Sequence, residues 1–142
     1  MIYFDTSALA KKYLKSEKGR SKVLELLESN PQHLVSSALT QLEVISALTR
    51  RQKDVSGFEQ AIEAFNNDWE AFIVWTIDDE AIADAISLVR LYRLKAADAI
   101  HLATARSVVH HTKDKLLVVS SDQELLAAAN KEGLLVVDPE AV

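Results

Sequence analysis

The 142-residue chain contains no cysteine, which excludes a disulfide frame and any thiolate metal site. Three glycines and two prolines leave little room for flexible linkers or collagen-like sequence. No apolar run approaches the roughly 18 to 20 residues that span a bilayer, so no membrane role is expected. The opening Met1-Ile2-Tyr3-Phe4-Asp5 lacks the basic segment and long apolar core of a signal peptide, and a cytoplasmic protein is the default expectation. Several chemistries lack their motifs as well. There is no P-loop, no G-x-G-x-x-G, no H-E-x-x-H and no G-x-S-x-G elbow. Asp5-Thr6-Ser7 lacks the second Asp of a D-x-D phosphotransferase.

What is present suits one soluble globular domain over residues 1–142: 49% hydrophobic and 26% charged residues. The formal net charge of −5 argues at first against nucleic acid, which attracts Lys and Arg. The distribution is uneven. Residues 11–22 carry six basic side chains against Glu17, a local +5, while the remainder holds 10 basic and 20 acidic residues.

Short apolar runs alternate with helical periodicity. Ile2–Phe4, His33–Ser36, Phe72–Trp75, Leu116–Val119 and Leu134–Val137 read as five strands. Helical stretches run through Leu14 and over Ser21–Leu27, Thr40–Arg51, Phe58–Trp69, Asp79–Leu91, Ala96–Val109 and Ser121–Lys131. Leu42, Ile45 and Leu48 mark one face of the Thr40–Arg51 helix, Asn30-Pro31 breaks the chain, and Ser56-Gly57 punctuates it. Ala96–Val109 is apolar nearly all round, which predicts a buried helix. This order predicts an α/β fold, a mainly parallel sheet covered on both faces with right-handed connections.

Four acids stand out in that frame. Asp5 follows the first strand and Asp122 the fourth, Glu43 lies early in the helix after the second strand, and Asp98 opens the buried helix. In open α/β sheets, ligands bind outside the carboxyl ends of the strands, where strand order reverses. Helix capping accounts equally for Asp5, Glu43 and Asp122 taken singly, and it accounts for Asp78 and Asp79. Thr40-x-x-Glu43 and Ser121-x-x-Glu124 both match a capping box. Asp98 is harder to place this way, because apolar surroundings penalise a charged carboxylate. Gathered together, four carboxylates repel, at roughly 3 kcal/mol for each pair about 5 Å apart at an effective dielectric near 20. Either some protonate or they hold a divalent cation, and an all-oxygen site favours Mg²⁺ or Mn²⁺. The chemistry implied is metal-assisted attack of water on a phosphodiester. Of the four histidines, His33 reads as structural and His110 and His111 as a helix end. His101 reads as a core residue or a partner of Asp98.

The pattern resembles a PIN-domain ribonuclease, specifically the VapC-type toxin of a toxin–antitoxin pair. Met1–Leu9, Leu39–Val44, Leu94–Ala105 and Val119–Leu125 are similar to that family's four motif segments, in order and at compatible spacing. Ala128, Gly133 and Asp138-Pro139 extend the last of them. The resemblance implies a PIN-like three-layer α/β/α domain with sheet order 3-2-1-4-5. It also implies that Asp5, Glu43, Asp98 and Asp122 are the catalytic, metal-coordinating quartet for Mg²⁺, with Mn²⁺ as substitute. Ser120 stands where the family often has Thr, Ser7 or Thr6 would support Asp5, and Glu124 is a weaker fifth carboxylate. The activity implied is endonucleolytic hydrolysis of single-stranded or structured RNA, leaving a 5′-phosphate and a 3′-hydroxyl. Lys11, Lys12, Lys15 and Arg50 are candidates to guide the RNA backbone. A homodimer and a small VapB-like antitoxin are the further partners implied. Phe58, Phe65 and Trp69 serve either as anchors for such contacts or as core. The alternatives are a DNA nuclease and a catalytically silent PIN scaffold that binds RNA or protein. The sign of a silent scaffold would be a missing member of the quartet, and none is missing. Two bound divalent ions would move the net charge from −5 to −1.

Overall fold

The computed structural model describes residues 1–15, 17–53 and 57–141. Its strands are β1 (Ile2–Phe4), β2 (Leu34–Ser37), β3 (Ile73–Trp75), β4 (Leu117–Val119) and β5 (Leu135–Val137). They form one all-parallel sheet in the order β3-β2-β1-β4-β5, as expected. The helices are α1 (Thr6–Leu9), α2 (Arg20–Ser29), α3 (Ala38–Arg50), α4 (Phe58–Trp69), α5 (Asp79–Tyr92), α6 (Ala96–Thr112) and α7 (Gln123–Lys131), with a 3-10 turn at Ala10–Lys12.

Alternation along the strands builds two cores. Ile2, Phe4, Leu34 and Val119 face one layer and pack with residues of α1 to α4. Tyr3, Val35 and Val118 point the other way, onto Ala105 and Val108 of α6. Alongside them Leu88, Leu102 and Leu125 close the α5–α6–α7 side. Being buried on both faces is why the central strands read as unbroken apolar runs. Edge positions Ile73, Val74 and Leu135 stay 37%, 39% and 56% exposed.

Several local expectations change. Thr40 does not begin a helix: α3 starts at Ala38, where the Ser37 side chain accepts the Leu39 N–H. Thr40 is buried against Ser36, whose hydroxyl reaches the Phe4 carbonyl, so the Thr40-x-x-Glu43 capping box does not form. Likewise Asp122, not Ser121, caps α7 by accepting the Leu125 N–H. Leu42 is 68% exposed, and the buried face of α3 runs through Thr40, Val44 and Leu48 instead. Phe65 and Trp69 are buried, stacked into a chain with Tyr13 and Phe72, and so belong to the core. Gly57 takes a left-handed conformation before α4, while Ser56 lies outside the described residues. Among the described residues no helix is long and apolar enough to cross a membrane.

The basic segment is also less available than its sequence suggests. Lys11 is 6% exposed and pairs with Glu140 at 3.4 Å. Lys12 pairs with Asp68 at 2.6 Å, and Asp68 also accepts the Tyr13 hydroxyl. Lys11 is thereby buried, while Lys12 stays partly exposed within its ion pair. Lys15 and Arg50 remain exposed.

The chain's end returns to this segment. Gly19 has φ of +86°, and a Cβ there would lie 2.8 Å from the Pro139 carbonyl oxygen. Gly133 has φ of +82° with open space around it. Gly133→Ala is therefore expected to cost about 1 kcal/mol through backbone strain alone. Gly19→Ala should cost about 2 kcal/mol, because the strand-end segment must also shift. Denaturant midpoints measure both, and equal losses would mean that the Pro139 contact contributes nothing.

Candidate active site

Strand register assembles the site. The pairing Phe4↔Val119 places Asp5 beside Ser120 at the carboxyl edge of the sheet, and the Asp5 N–H donates to Val119 O at 3.1 Å. The order reverses between β1 and β4, the position where open α/β sheets bind ligands.

Asp5 is 2% exposed and saturated with donors. Oδ1 accepts the Ala8 N–H at 3.0 Å and the Ser7 hydroxyl at 2.8 Å; Oδ2 accepts the Ser120 hydroxyl at 2.6 Å. Ser7 Oγ in turn accepts the Ser121 N–H at 2.9 Å, and Ser120 Oγ accepts the Asp122 N–H at 3.0 Å. Two serines thus tie the ends of β1 and β4 together around one carboxylate. Burial raises the Asp5 carboxyl above its ordinary range, against the lowering influence of His101 and these hydrogen bonds.

Asp98 lies in the first turn of α6, where the charges of Asp122 and Asp5 act on it. Its carboxyl is pushed up to about 6, first by burial and then by the charges of Asp122 and Asp5. Glu43 has partners of its own. Its Oε1 accepts the Thr6 hydroxyl at 2.6 Å and contacts His101 Nε2 at 2.8 Å. Burial pushes Glu43 up, but the His101 and Thr6 hydrogen bonds outweigh it, and the carboxyl is held below its usual value.

Among the described residues no three His, Asp or Glu side chains converge tightly enough to cage a metal ion. That arrangement still suits Mg²⁺, which generally takes one or two carboxylates and completes its shell with water and substrate phosphate. Asp98 and Asp122, with Asp5 beside them, could act as such a donor set, and a cation there would relieve the repulsion that raises Asp98. A cavity of about 610 Å³ lies elsewhere, between α5 and the C-terminal half of α6. Its wall carries Arg106 paired with Asp84 and Glu132, and it contains none of the four acids.

The sequence model of the PIN domain matches residues 2–131. The chain belongs to the PIN domain family. Ribonuclease VapC45 of Mycobacterium tuberculosis is 33% identical to this PIN domain over 137 residues, which covers 94% of this chain and 92% of that protein. Among solved structures, a toxin–antitoxin complex from Klebsiella pneumoniae has a TM-score of 0.71 at 21% identity, with both chains covered completely. VapC20 of M. tuberculosis, a toxin that cleaves the sarcin–ricin loop, has a TM-score of 0.68 at 19% identity, covering 90% of this chain and 95% of its own.

In this PIN domain the four acids noted from sequence have different partners. The charges of Asp122 and Asp5 act on Asp98, and Glu43 is held by His101, which lies three residues after Asp98 on α6. Ser7 supports Asp5, whereas Thr6 supports Glu43. His101 partners Glu43 and not Asp98. Glu124 is exposed in the first turn of α7. Asp78 caps α5 through the Ala81 N–H, as expected.

Proposed function

We propose that this PIN domain is a Mg²⁺-dependent endoribonuclease, the toxin of a toxin–antitoxin pair, which hydrolyses phosphodiester bonds of single-stranded or structured RNA. The observation that carries the reading is the strained pair of Asp98 and Asp122 beside the buried Asp5, at the switch point of the sheet. Membership of a family whose curated relative is a VapC ribonuclease supports it.

When bound, a divalent ion supplies Lewis-acid stabilisation of phosphoryl oxygens and an activated water. Asp98 and Asp122 are the residues to hold it, with Mn²⁺ as substitute. Asp5 fixes one side of the donor set, because four hydrogen-bond contacts from Ser7, Ser120 and the Ala8 amide leave it one orientation. Glu43, kept ionised by Thr6 and His101, contributes the fourth negative charge at the edge. Attack of water on phosphorus with departure of the 3′-oxygen leaves a 5′-phosphate and a 3′-hydroxyl. A VapB-like antitoxin and a second copy of the chain are the protein partners in this reading.

The test is incubation of the purified protein with labelled RNA in Mg²⁺ or Mn²⁺, beside a chelator control and single-stranded DNA of the same sequence. Cleavage of RNA with 5′-phosphate ends, abolished by chelator, is expected. Cleavage that survives chelation would overturn the metal reading, and equal cleavage of DNA would overturn the choice of RNA.

A further inference from the structure

Tyr3 and His101 are 1% and 2% exposed, and the Tyr3 ring sits in an otherwise aliphatic cluster with Val35, Ala105, Val108 and Val118. Phenylalanine would fill the same space without a polar atom to satisfy. The hydroxyl is used: it lies 2.8 Å from His101 Nδ1, and His101 Nε2 lies 2.8 Å from Glu43 Oε1. A file of polar groups therefore runs from the core through one imidazole to a half-buried carboxylate at the candidate site.

We infer that Tyr3 fixes the tautomer of His101, so that the imidazole holds Glu43 by a single oxygen as a donor. This rests on the metal-nuclease reading of the site. The direction of the file follows from its outer end: the ionised Glu43 carboxylate can only accept, so the hydrogen between it and Nε2 sits on the imidazole, and Nδ1 is left to accept the Tyr3 hydroxyl proton. An imidazole that accepts at Nδ1 carries its hydrogen on Nε2 and donates it to Glu43. Glu43 Oε1 then receives two donors, Thr6 and His101, while Oε2 has no protein donor among the described residues. One oxygen is anchored and the other is left for a cation or its waters. Partners that orient the ligands of a metal site in this way typically change affinity or activity by about 10- to 100-fold when removed. Tyr3 and His101 are positioning residues, since neither belongs to the carboxylate set.

Two measurements test this. Nitrogen-15 NMR of the metal-free protein should show His101 as the Nε2–H tautomer, with Nδ1 unprotonated; the Nδ1–H tautomer would overturn the lock. Mn²⁺ titration should show that Tyr3→Phe and His101→Leu each weaken binding about 10- to 100-fold. His101→Gln, whose amide offers an N–H near the Nε2 position, should retain most of the affinity. Tyr3→Phe added to His101→Gln should then cause little further loss, because an amide has no tautomer to fix. A role in packing alone predicts lower melting temperatures with Mn²⁺ affinity intact, and that outcome would overturn the inference while leaving the metal reading in place. Failure of the unaltered chain to bind Mn²⁺ would overturn both.

Discussion

Asp98→Asn is expected to abolish RNA cleavage while making the metal-free protein more stable at pH 7.5. The folded carboxyl sits at about 6, raised by burial and by the charges of Asp122 and Asp5, against about 3.9 in the unfolded chain. The metal-free folded state therefore binds more protons than the unfolded state between these values. Its stability falls as pH rises from about 4 to about 6, and the deficit is complete above that. Taken at face value the difference corresponds to roughly 3 kcal/mol, but the group is half-buried and solvent screens it, so about 1 kcal/mol is the expected gain. For a chain of this size that is a rise of roughly 2–4 °C in melting temperature. The gain should vanish below about pH 4, where both states are protonated. Activity should fall by about 10³-fold or more, the equivalent of the several kcal/mol of charge stabilisation that a catalytic metal supplies. Mg²⁺ should stabilise the unaltered protein and leave the variant nearly unmoved. A variant less stable than the parent at pH 7.5 without metal would mean that Asp98 is not under electrostatic strain, and the reading of the site would fail with it.

The parallel sheet was legible because each central strand is buried on both faces and so reads as an uninterrupted apolar run. The four acids were legible because three follow or closely trail a strand end and the fourth interrupts an apolar helix. What was not legible depends on where distant parts of the chain meet. Thr40-x-x-Glu43 has the spacing of a capping box, yet the helix start was decided by Ser37 at the end of β2. Lys11 looks solvated in sequence, but the returning C-terminal segment brings Glu140 to it. Leu42 obeys the apolar period of α3 and still points outward, since the buried face is set by Val44 and Leu48. His101 carries a weak local signal, three residues after Asp98. Its true partners, Tyr3 and Glu43, lie 98 and 58 residues away in sequence.

Ser120→Ala is expected to cost about 2–3 kcal/mol of stability and to lower activity about 10- to 100-fold, although Ser120 carries no charge. Its hydroxyl is fully buried, donates to Asp5 Oδ2 at 2.6 Å and accepts the Asp122 N–H at 3.0 Å. Removing it deprives a buried carboxylate of a charge-assisted hydrogen bond and leaves the Asp122 amide without that acceptor. Burial already holds the Asp5 carboxyl above its ordinary range, and Ser120 is among the groups that oppose the shift. Without the hydroxyl, Asp5 should rise further and remain protonated to higher pH. The acidic limb of the cleavage rate should accordingly move upward in pH, because an uncharged Asp5 cannot serve a cation. Ser120→Thr keeps the oxygen and should restore the limb, at the expense of fitting one extra methyl into a fully packed position. Rate–pH profiles of the three proteins, read beside their denaturant midpoints, separate the two roles. A lower midpoint with an unmoved acidic limb would reduce Ser120 to packing. A limb that moves in the alanine variant and returns with threonine would place it as the group that keeps Asp5 ionised.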